Sequence, residues 1–536
     1  MNMTGIFSGY LNSRGEAARL TTLARARRQG PGLPLLQRVV HNMKSEEILA
    51  AKAADAVNRQ PEELQARLRT MQASGETPDK ALIEEVKRYV LSGNRFPDGE
   101  VALLGGDDYF ALTPFTPTAG TAWNQDQILT HDPEEVRSLI DAGNTALAGN
   151  LVNPLASTVI TGLPAAGIAS RAASYAKAHP DLVGKIAALG GLDGLEKDEL
   201  PPRFLYPLKT DRGTQTLIGL MLQHSRQIGQ DLNVLIPSIL MLHPRFAELV
   251  LARLDKELGG RDENELDSIG LISQSMARRA YLTDQTFING LDPTGHGDYP
   301  NLLAKLDIFN YLVEQGFRYL VFSNADEIMW SPNPFMIGIA ERLISQGYAG
   351  IVFVVPNTNN QSGGGAVKRV NNPREQFLCE MPCLPADQLA DGKYPLGINT
   401  TFYVLSLEHL ANRTADLSTL SPALDIKTTK GRHGGEELAL TLESWAGTEF
   451  TRNLRTAFAL APRAGFFTGV KSLEHSHSDI IPPELRGDPV YGRMTYEKYL
   501  QHLAHSYPRI LKMMTASDPC LMEKLLLSGG SYLLDM

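Results

Sequence analysis

The stretch FRYLVFSNAD, residues 317–326, decides the fold, because it indicates a short buried strand that ends in polar residues. A helical pattern follows in 334–347, PFMIGIAERLISQG, and then a second apolar run in 348–356, YAGIVFVVP. Apolar strands that alternate with amphipathic helices of this length are typical of a doubly wound, mostly parallel α/β sheet. Ligands bind beyond the carboxyl ends of the strands in such sheets, which directs attention to Asn324 and Asp326.

The same alternation extends toward the amino terminus. A short apolar run lies at 233–240, and helical patterns follow at 243–258 and 301–316. We therefore expect an α/β domain over residues 151–480. The flanking segments have helical patterns with capping residues, so we expect a mainly helical N-terminal region at 1–150 and a helical C-terminal region at 481–536.

Composition excludes several classes of protein. The chain has 536 residues, of which 43% are hydrophobic and 21% charged, so disordered and fibrous classes are excluded. Its net charge of −9 argues against a nucleic-acid partner, because that class relies on clustered Lys and Arg. Three cysteines are too few for a disulfide framework. With no signal-peptide pattern and no apolar run of membrane-spanning length, we expect a cytoplasmic protein without a membrane partner.

Two motifs carry candidate chemistry. An acid that follows a strand, such as Asp326, can hold Mg²⁺ against phosphate oxygens, although a lone acid there more often caps the next turn. One helix upstream, Gly295 and Gly297 flank His296. Glycines of this kind let backbone amides approach a ligand, but a lone Gly-His-Gly more often surrounds a structural histidine.

Together these motifs resemble a known family. GHGD (295–298), a helix and SNADEIMWSPNP (323–334) resemble the PPGHGD and S-N-[VI]-D-N-L-G signatures of the eukaryotic-type UDP-glucose pyrophosphorylases. Further family elements follow in family order. They are ISQS at 272–275, GGG at 363–365 with FLCE at 377–380, GINTTF at 397–402, and APRAGF at 461–466 followed by VKS at 470–472.

The resemblance implies a nucleotidyltransferase that couples a sugar 1-phosphate to UTP and releases pyrophosphate. It implies Mg²⁺ as cofactor, held by Asp326, and phosphate contacts from Lys471. Gln274 would read uracil. The remaining substrate-binding residues that the resemblance implies are Gly295, His296, Gly297, Asn324, Glu380, Asn399 and Thr400.

The sequence also departs from the family pattern. The family's glycine-rich loop N-G-G-L-G-T-S-M-G is expected at 161–171, TGLPAAGIASR, with Gly162 as a binding residue, but Pro164 has no amide to offer a phosphate. Arg203 stands in place of a catalytic lysine, and nearby Lys209 is an alternative. Two other hypotheses therefore remain open. One is a catalytically impaired relative with a regulatory role, and the other is a specialised transferase for an unusual sugar-like phosphate. The sequence indicates neither the sugar nor an oligomeric state.

Overall fold

The structure is a computed structural model of the chain. The residues it describes are 6–7, 10, 20–29, 40–41, 43–91, 100–111, 133–165, 187–188, 192, 195, 201–205, 207–210, 213–258, 263–325, 332, 334–357, 364–380, 384, 395–419, 422–452 and 454–461.

Strands and helices alternate along much of this part of the chain. The strands are β1 (Leu20–Thr22), β2 (Val40–His41), β3 (Val101–Leu103), β4 (Phe110–Ala111), β5 (Val159–Ala165), β6 (Pro207–Thr210), β7 (Gly213–Thr216), β8 (Ser238–Leu242), β9 (Ile269–Ser273), β10 (Ser275–Ala277), β11 (Ala280–Tyr281), β12 (Asp292–Pro293), β13 (Tyr319–Phe322), β14 (Gly350–Pro356), β15 (Gly365–Arg369), β16 (Gln376–Cys379), β17 (Gly397–Ser406), β18 (Ala423–Lys430), β19 (Glu436–Glu443) and β20 (Thr456–Leu460). The helices are α1 (Leu23–Gln29), α2 (Met43–Asn58), α3 (Glu62–Ser74), α4 (Lys80–Leu91), α5 (Pro133–Ala148), α6 (Leu217–Asp231), α7 (Ala247–Leu258), α8 (Glu263–Asp267), α9 (Asp298–Lys305), α10 (Ile308–Glu314), α11 (Pro334–Ser345), α12 (Leu407–Ala411), α13 (Thr414–Leu417) and α14 (Ala446–Thr451).

A large central sheet organises the fold. Its strands lie in the order β1-β9-β8-β5-β13-β17-β14-β20-β4, and β15, β16 and β3 extend from β17. Strands β9, β8, β5 and β13 are parallel to one another, as are β14, β20 and β4. Strand β17 is antiparallel to both its neighbours, and β1 is antiparallel to β9. The predicted α/β fold with a mostly parallel, doubly wound sheet is confirmed.

Both faces of this sheet are covered. Leu240 and Leu242 of β8 belong to a core that α5, α6, α7 and α11 complete on one face. Ile239 and Met241 of the same strand belong to a second core, on the face of α9, α10, α12 and α14. A strand buried on both faces is apolar at nearly every position, which is why the sequence shows long apolar runs here.

The N-terminal region joins the rest of the fold through both helices and strands. Helices α2, α3 and α4 pack on the three-stranded sheet β11-β19-β18. Strands β1, β3 and β4 pair within the central sheet. Strands from both sides of residue 150 therefore share one sheet, and the domain boundary there stays a prediction. The helical prediction for 481–536 lies outside the described residues.

One predicted helix is divided. The pattern at 301–316 forms α9 and α10 instead of one helix, because Asp307 between them has a left-handed backbone with φ of 58°. Among the helices that the structure describes, none is long and apolar enough to cross a membrane.

Candidate functional site

The predicted binding residues follow strands that end at one edge of the central sheet. The parallel strands β9 and β13 end there, and Gln274 and Asn324 follow them within one or two residues. Strand β17 runs the opposite way, so its first residues lie at the same edge, where Gly397 pairs with Pro356 at the end of β14. Asn399 is close behind Gly397. We call this the carboxyl edge.

Gln274 is fixed in this edge by its neighbours. Its side chain is 2% exposed, and its Nε2 donates a hydrogen bond of 2.9 Å to the carbonyl of Gly295. Its backbone amide donates to the carbonyl of Leu242 at the end of β8. In the described part of the chain, the buried Oε1 of Gln274 has no hydrogen-bond partner. A buried acceptor without a partner is costly, so a ligand N–H at this position would be favourable.

The Gly-His-Gly loop is glycine-rich because a second segment lies against it. Gly295 has φ of +91°, and a Cβ there would lie 2.4 Å from the carbonyl oxygen of Ser444. The amide of Gly297 donates to the same carbonyl, and the amide of Ser444 donates to the carbonyl of Thr294. These contacts explain both glycines by close backbone approach. Their predicted contacts with substrate stay predictions.

His296 has a defined tautomer. Its Nδ1 accepts a hydrogen bond of 3.0 Å from the backbone amide of Ala446. Because a backbone amide can only donate, Nδ1 is unprotonated and the proton of the neutral ring is on Nε2. The ring is half-buried. A neutral imidazole with this tautomer can donate to a phosphate or hydroxyl oxygen, which is the chemistry expected of His296.

Two further predicted residues, Asn399 and Glu380, lie next to each other. Oδ1 of Asn399 accepts hydrogen bonds from the amide of Thr401 and from the hydroxyl of Tyr403, over 2.8 and 3.1 Å. Its Nδ2 is thereby turned toward Oε1 of Glu380, at 3.4 Å. Thr401 has φ of +62°, which is strained for a β-branched residue. Strain of this kind is concentrated at functional sites.

Thr400 differs from the expectation. Its side chain is 1% exposed, and its hydroxyl donates to the carbonyl of Phe353 over 2.6 Å. The register between β14 and β17 shifts just beyond Phe353, so this bond stabilises a bulge. The hydroxyl of Thr400 is therefore engaged within the sheet, and only its backbone remains a candidate for the expected sugar contact.

The start of α14 connects His296 of the Gly-His-Gly loop with the pair Asn399 and Glu380. The amide of Ala446 holds His296, and a Cβ on the next residue, Gly447, would lie 2.6 Å from the hydroxyl of Tyr403. That hydroxyl bonds Asn399, so His296 and Asn399 are linked through contiguous contacts. Burial raises the pKa of Tyr403, which keeps its hydroxyl protonated as a donor. The motifs in the sequence gave no signal for Tyr403.

The expected glycine-rich loop needs a correction. Residues 161–165 belong to the fully buried strand β5, so they form no phosphate loop. A Cβ on Gly162 would lie 2.7 Å from the hydroxyl of Tyr299, which explains this glycine by packing instead of substrate binding. Any loop must begin after Ala165.

Pro164 consequently loses its significance for phosphate binding. Phe322 at the end of β13 pairs with Gly162, so Pro164 lies beyond the end of that neighbour and its missing N–H removes no ladder bond. The segment after β5, AGIASR at 166–171, lies outside the described residues.

Some predicted residues cannot be placed. Asp326 and Lys471 lie outside the described residues. Arg203 is in a 3₁₀ turn, Arg203–Leu205, but its side chain lies outside the description, as does that of Lys209. Among the side chains that are described, no three His, Cys, Asp or Glu form a metal site. Asn324 is half-buried directly after β13, and the Mg²⁺ site at Asp326 stays a prediction.

A mostly parallel α/β sheet with polar side chains at its carboxyl edge defines the class of doubly wound α/β proteins, which bind ligands at this edge. The sequence model of the family UTP–glucose-1-phosphate uridylyltransferase matches residues 205–400. The resemblance to the UDP-glucose pyrophosphorylase family that the motifs predicted is confirmed over this segment. The matched segment includes Gln274, His296, Asn324, Glu380 and Asn399.

Two solved structures are similar to the chain over most of their length. The uridine diphosphate N-acetylglucosamine pyrophosphorylase of Trypanosoma brucei has a TM-score of 0.50 and 12% identity over 80% of this chain and 81% of that one. The UDP-glucose pyrophosphorylase of Leishmania major has a TM-score of 0.48 and 17% identity over 80% of this chain and 82% of that one. No curated protein sequence matches the chain significantly.

Proposed function

We propose that the protein is a UTP–sugar-1-phosphate uridylyltransferase. A phosphate oxygen of the sugar 1-phosphate attacks the α-phosphorus of UTP, the bond between this phosphorus and its bridging oxygen to the β-phosphate breaks, and pyrophosphate leaves with that oxygen. The product is a UDP-sugar. Little covalent work falls to the protein in such a transfer, so catalysis consists of positioning and of neutralising negative charge.

One observation carries the proposal. Gln274, directly after β9, and Asn399, in β17, lie at the same edge, with β8, β5 and β13 between their strands. Four strand spacings of about 4.8 Å separate them by about 19 Å. A separation of this size suits an elongated ligand, with a base at one end and a sugar at the other. The match of residues 205–400 to the model of the uridylyltransferase family supports the same assignment.

The roles of individual residues follow from this orientation of the ligand, with the base near β9 and the sugar near β17. Gln274, with a buried Oε1 that lacks a partner among the described residues, would read the base. His296, Asn399 and Glu380 would orient the sugar phosphate. Asp326 would hold Mg²⁺, which would neutralise phosphate charge, and Lys471 and Arg203 would supply further positive charge. The phosphates would then lie between the two ends, beyond β5 and β13.

The test is pyrophosphate release with purified full-length protein. UTP, CTP, ATP and GTP are each combined with glucose 1-phosphate, galactose 1-phosphate and N-acetylglucosamine 1-phosphate in the presence of Mg²⁺. We expect release with UTP and one of these sugars, and a UDP-sugar identified by mass spectrometry. Binding of UDP-sugars without turnover of any pair would contradict the proposal and support a regulatory relative instead.

A further inference from the structure

We propose that His243 is a second base-reading residue, which acts with Gln274 to select uracil over cytosine. This inference rests on the proposed function, because it concerns the nucleotide of the same site. His243 follows β8 directly, at the carboxyl edge, and none of the family motifs in the sequence includes it.

The register of the sheet makes His243 the neighbour of Gln274. Leu242 pairs with Ser273 in the parallel ladder of β8 and β9, and the amide of Gln274 donates to the carbonyl of Leu242. The next register positions are therefore His243 and Gln274, about 4.8 Å apart across the strands. His243 continues the extended backbone of β8, with φ of −70° and ψ of 129°.

Strand alternation also places the two side chains on one face. Met241 and Ile272 are paired and belong to the core on the side of α9. Two positions further on, alternation directs the Cβ atoms of His243 and Gln274 to the same side. The hydrogen bond from Gln274 to Gly295, which lies just before α9, agrees with this assignment. The ring of His243 lies at the end of the strand, where its centroid is 5.5 Å from that of Phe246.

The ring of His243 has one nitrogen engaged and one available. The residue is only 6% exposed, and its Nδ1 accepts a hydrogen bond of 3.1 Å from the amide of Arg245. The proton of the neutral ring is therefore on Nε2. No residue in the described part of the chain accepts a hydrogen bond from Nε2 of His243. Nε2 is not among the fully buried polar atoms that lack a partner, so this donor is accessible to a ligand at the carboxyl edge.

The two side chains together offer a donor and an acceptor. Uracil presents the complementary pair, since its N3–H can donate to Oε1 of Gln274 and an adjacent carbonyl can accept from Nε2 of His243. Cytosine has an unprotonated N3 and a 4-amino group. It would face the glutamine oxygen with an acceptor, and it would lack one of the two carbonyls.

The imidazole remains neutral under ordinary conditions. Burial, and to a smaller extent the nearby charge of Arg245, lower the pKa of His243 to about 4. The ring is thus a neutral donor with a fixed tautomer near pH 7, suited to a base carbonyl. A fixed neutral donor discriminates between bases by hydrogen bonding and not by charge.

The experiment compares His243→Asn with the wild-type protein. Asparagine is among the best N-cap residues, and its side-chain oxygen can still accept from the amide of Arg245. It lacks the Nε2–H. We expect the ratio of kcat/KM for UTP to that for CTP to fall by about 10- to 100-fold, the usual range for one base-specific contact. Calorimetric affinities for UDP and CDP should shift in the same sense.

Controls separate the possible failures. His409→Asn removes a histidine on α12, at the opposite edge of the sheet, and should leave the UTP to CTP ratio unchanged. If wild-type protein turns over no nucleotide but binds UDP more tightly than CDP, and His243→Asn removes this preference, the proposed reaction is wrong and the base-reading inference stands. If His243→Asn folds with the wild-type melting temperature and keeps the full preference for uracil, the inference is overturned.

Discussion

The buried hydroxyl of Tyr403 donates to Oδ1 of Asn399 over 3.1 Å, and this contact sets the orientation of the amide at the carboxyl edge. With Oδ1 occupied by Tyr403 and by the amide of Thr401, Nδ2 must face the other way, toward Glu380. Tyr403, which belongs to none of the family motifs, therefore positions Asn399, which the family resemblance identified.

Tyr403→Phe should reduce activity more than stability. The variant removes one of two donors that hold Asn399, so we expect kcat/KM to fall by about 10-fold while the free energy of unfolding falls by only about 1 kcal/mol. Pyrophosphate release and thermal melting measure the two quantities. Tyr319→Phe is the matched control, because Tyr319 is equally buried at the start of β13 and its hydroxyl has no partner in the described residues. Equal activity losses in both variants would contradict the positioning role.

Gly162→Ala should lower stability because of packing. The new Cβ would meet the hydroxyl of Tyr299 at 2.7 Å and Cδ1 of Leu320 at 3.1 Å, in a strand with no exposed face. Overpacking of this kind costs about 1–3 kcal/mol in the free energy of unfolding. Denaturant unfolding measures this loss.

A double variant tests the physical cause of the Gly162 prediction. Tyr299→Phe removes the atom nearest to the new Cβ, at the cost of the hydrogen bond that Tyr299 donates to the carbonyl of Ile239. The losses of Gly162→Ala and Tyr299→Phe should therefore be less than additive. If Gly162→Ala instead keeps wild-type stability and loses only nucleotide affinity, Gly162 binds substrate after all.

Gln274→Leu should erode base preference without loss of the fold. Leucine fills a similar volume but offers neither the Oε1 acceptor nor the donor to Gly295. We expect kcat/KM for UTP to fall by about 10- to 100-fold and the values for the other triphosphates to change less. Gln60→Leu removes another buried glutamine, located after α2, and should leave base preference intact. Equal turnover of all four triphosphates by the wild-type protein would contradict a base-reading role.

The sequence predicted the elements with strong apolar periodicity. β13, β14 and the helix between them, α11, lie where the alternation in 317–356 indicates. Strand β5 was misread, because Thr161, Gly162 and Pro164 are turn formers in isolation and only burial between β8 and β13 makes them a strand. The direction of β17 could not be predicted either, since a doubly buried strand is apolar whichever way it runs.

The candidate site was predictable in its residues but not in its geometry. Family motifs identified Gln274, His296 and Asn399, whereas the contacts that orient them come from segments distant in sequence, at Ala446 and Tyr403. The bulge near Asn399 also depends on a positive φ at Thr401, a conformation that β-branched residues disfavour. Such features result from tertiary contacts, and local sequence patterns do not encode them.

A carboxyl pair beside the Gly-His-Gly loop should make stability depend on pH. Asp425 on β18 and Glu443 on β19 interact, and Cγ of Glu443 lies 3.1 Å from the position of a Cβ on Gly295. Burial, and then the charge and hydrogen bond of Glu443, raise the pKa of Asp425 to about 6, while Lys427 opposes the shift. The folded state therefore binds this proton more tightly than the unfolded chain, whose aspartate has an ordinary pKa of 3.8.

The sign of this effect follows from linkage. The contribution of Asp425 is fully present below about pH 4 and is lost as the pH rises through about 6, so its loss destabilises the protein at neutral pH. Buried His243 acts in the opposite direction, because its pKa is lowered to about 4. The measurement is therefore the difference in unfolding free energy between Asp425→Asn and wild type. The contribution of His243 is the same in both proteins and cancels in this difference. This difference should shift in favour of the variant by about 1–3 kcal/mol between pH 4.5 and 7.5, since one pKa unit corresponds to about 1.4 kcal/mol. Glu443→Gln should show a smaller shift in the same direction, and a difference that stays constant over this range would show that the pair shares no proton.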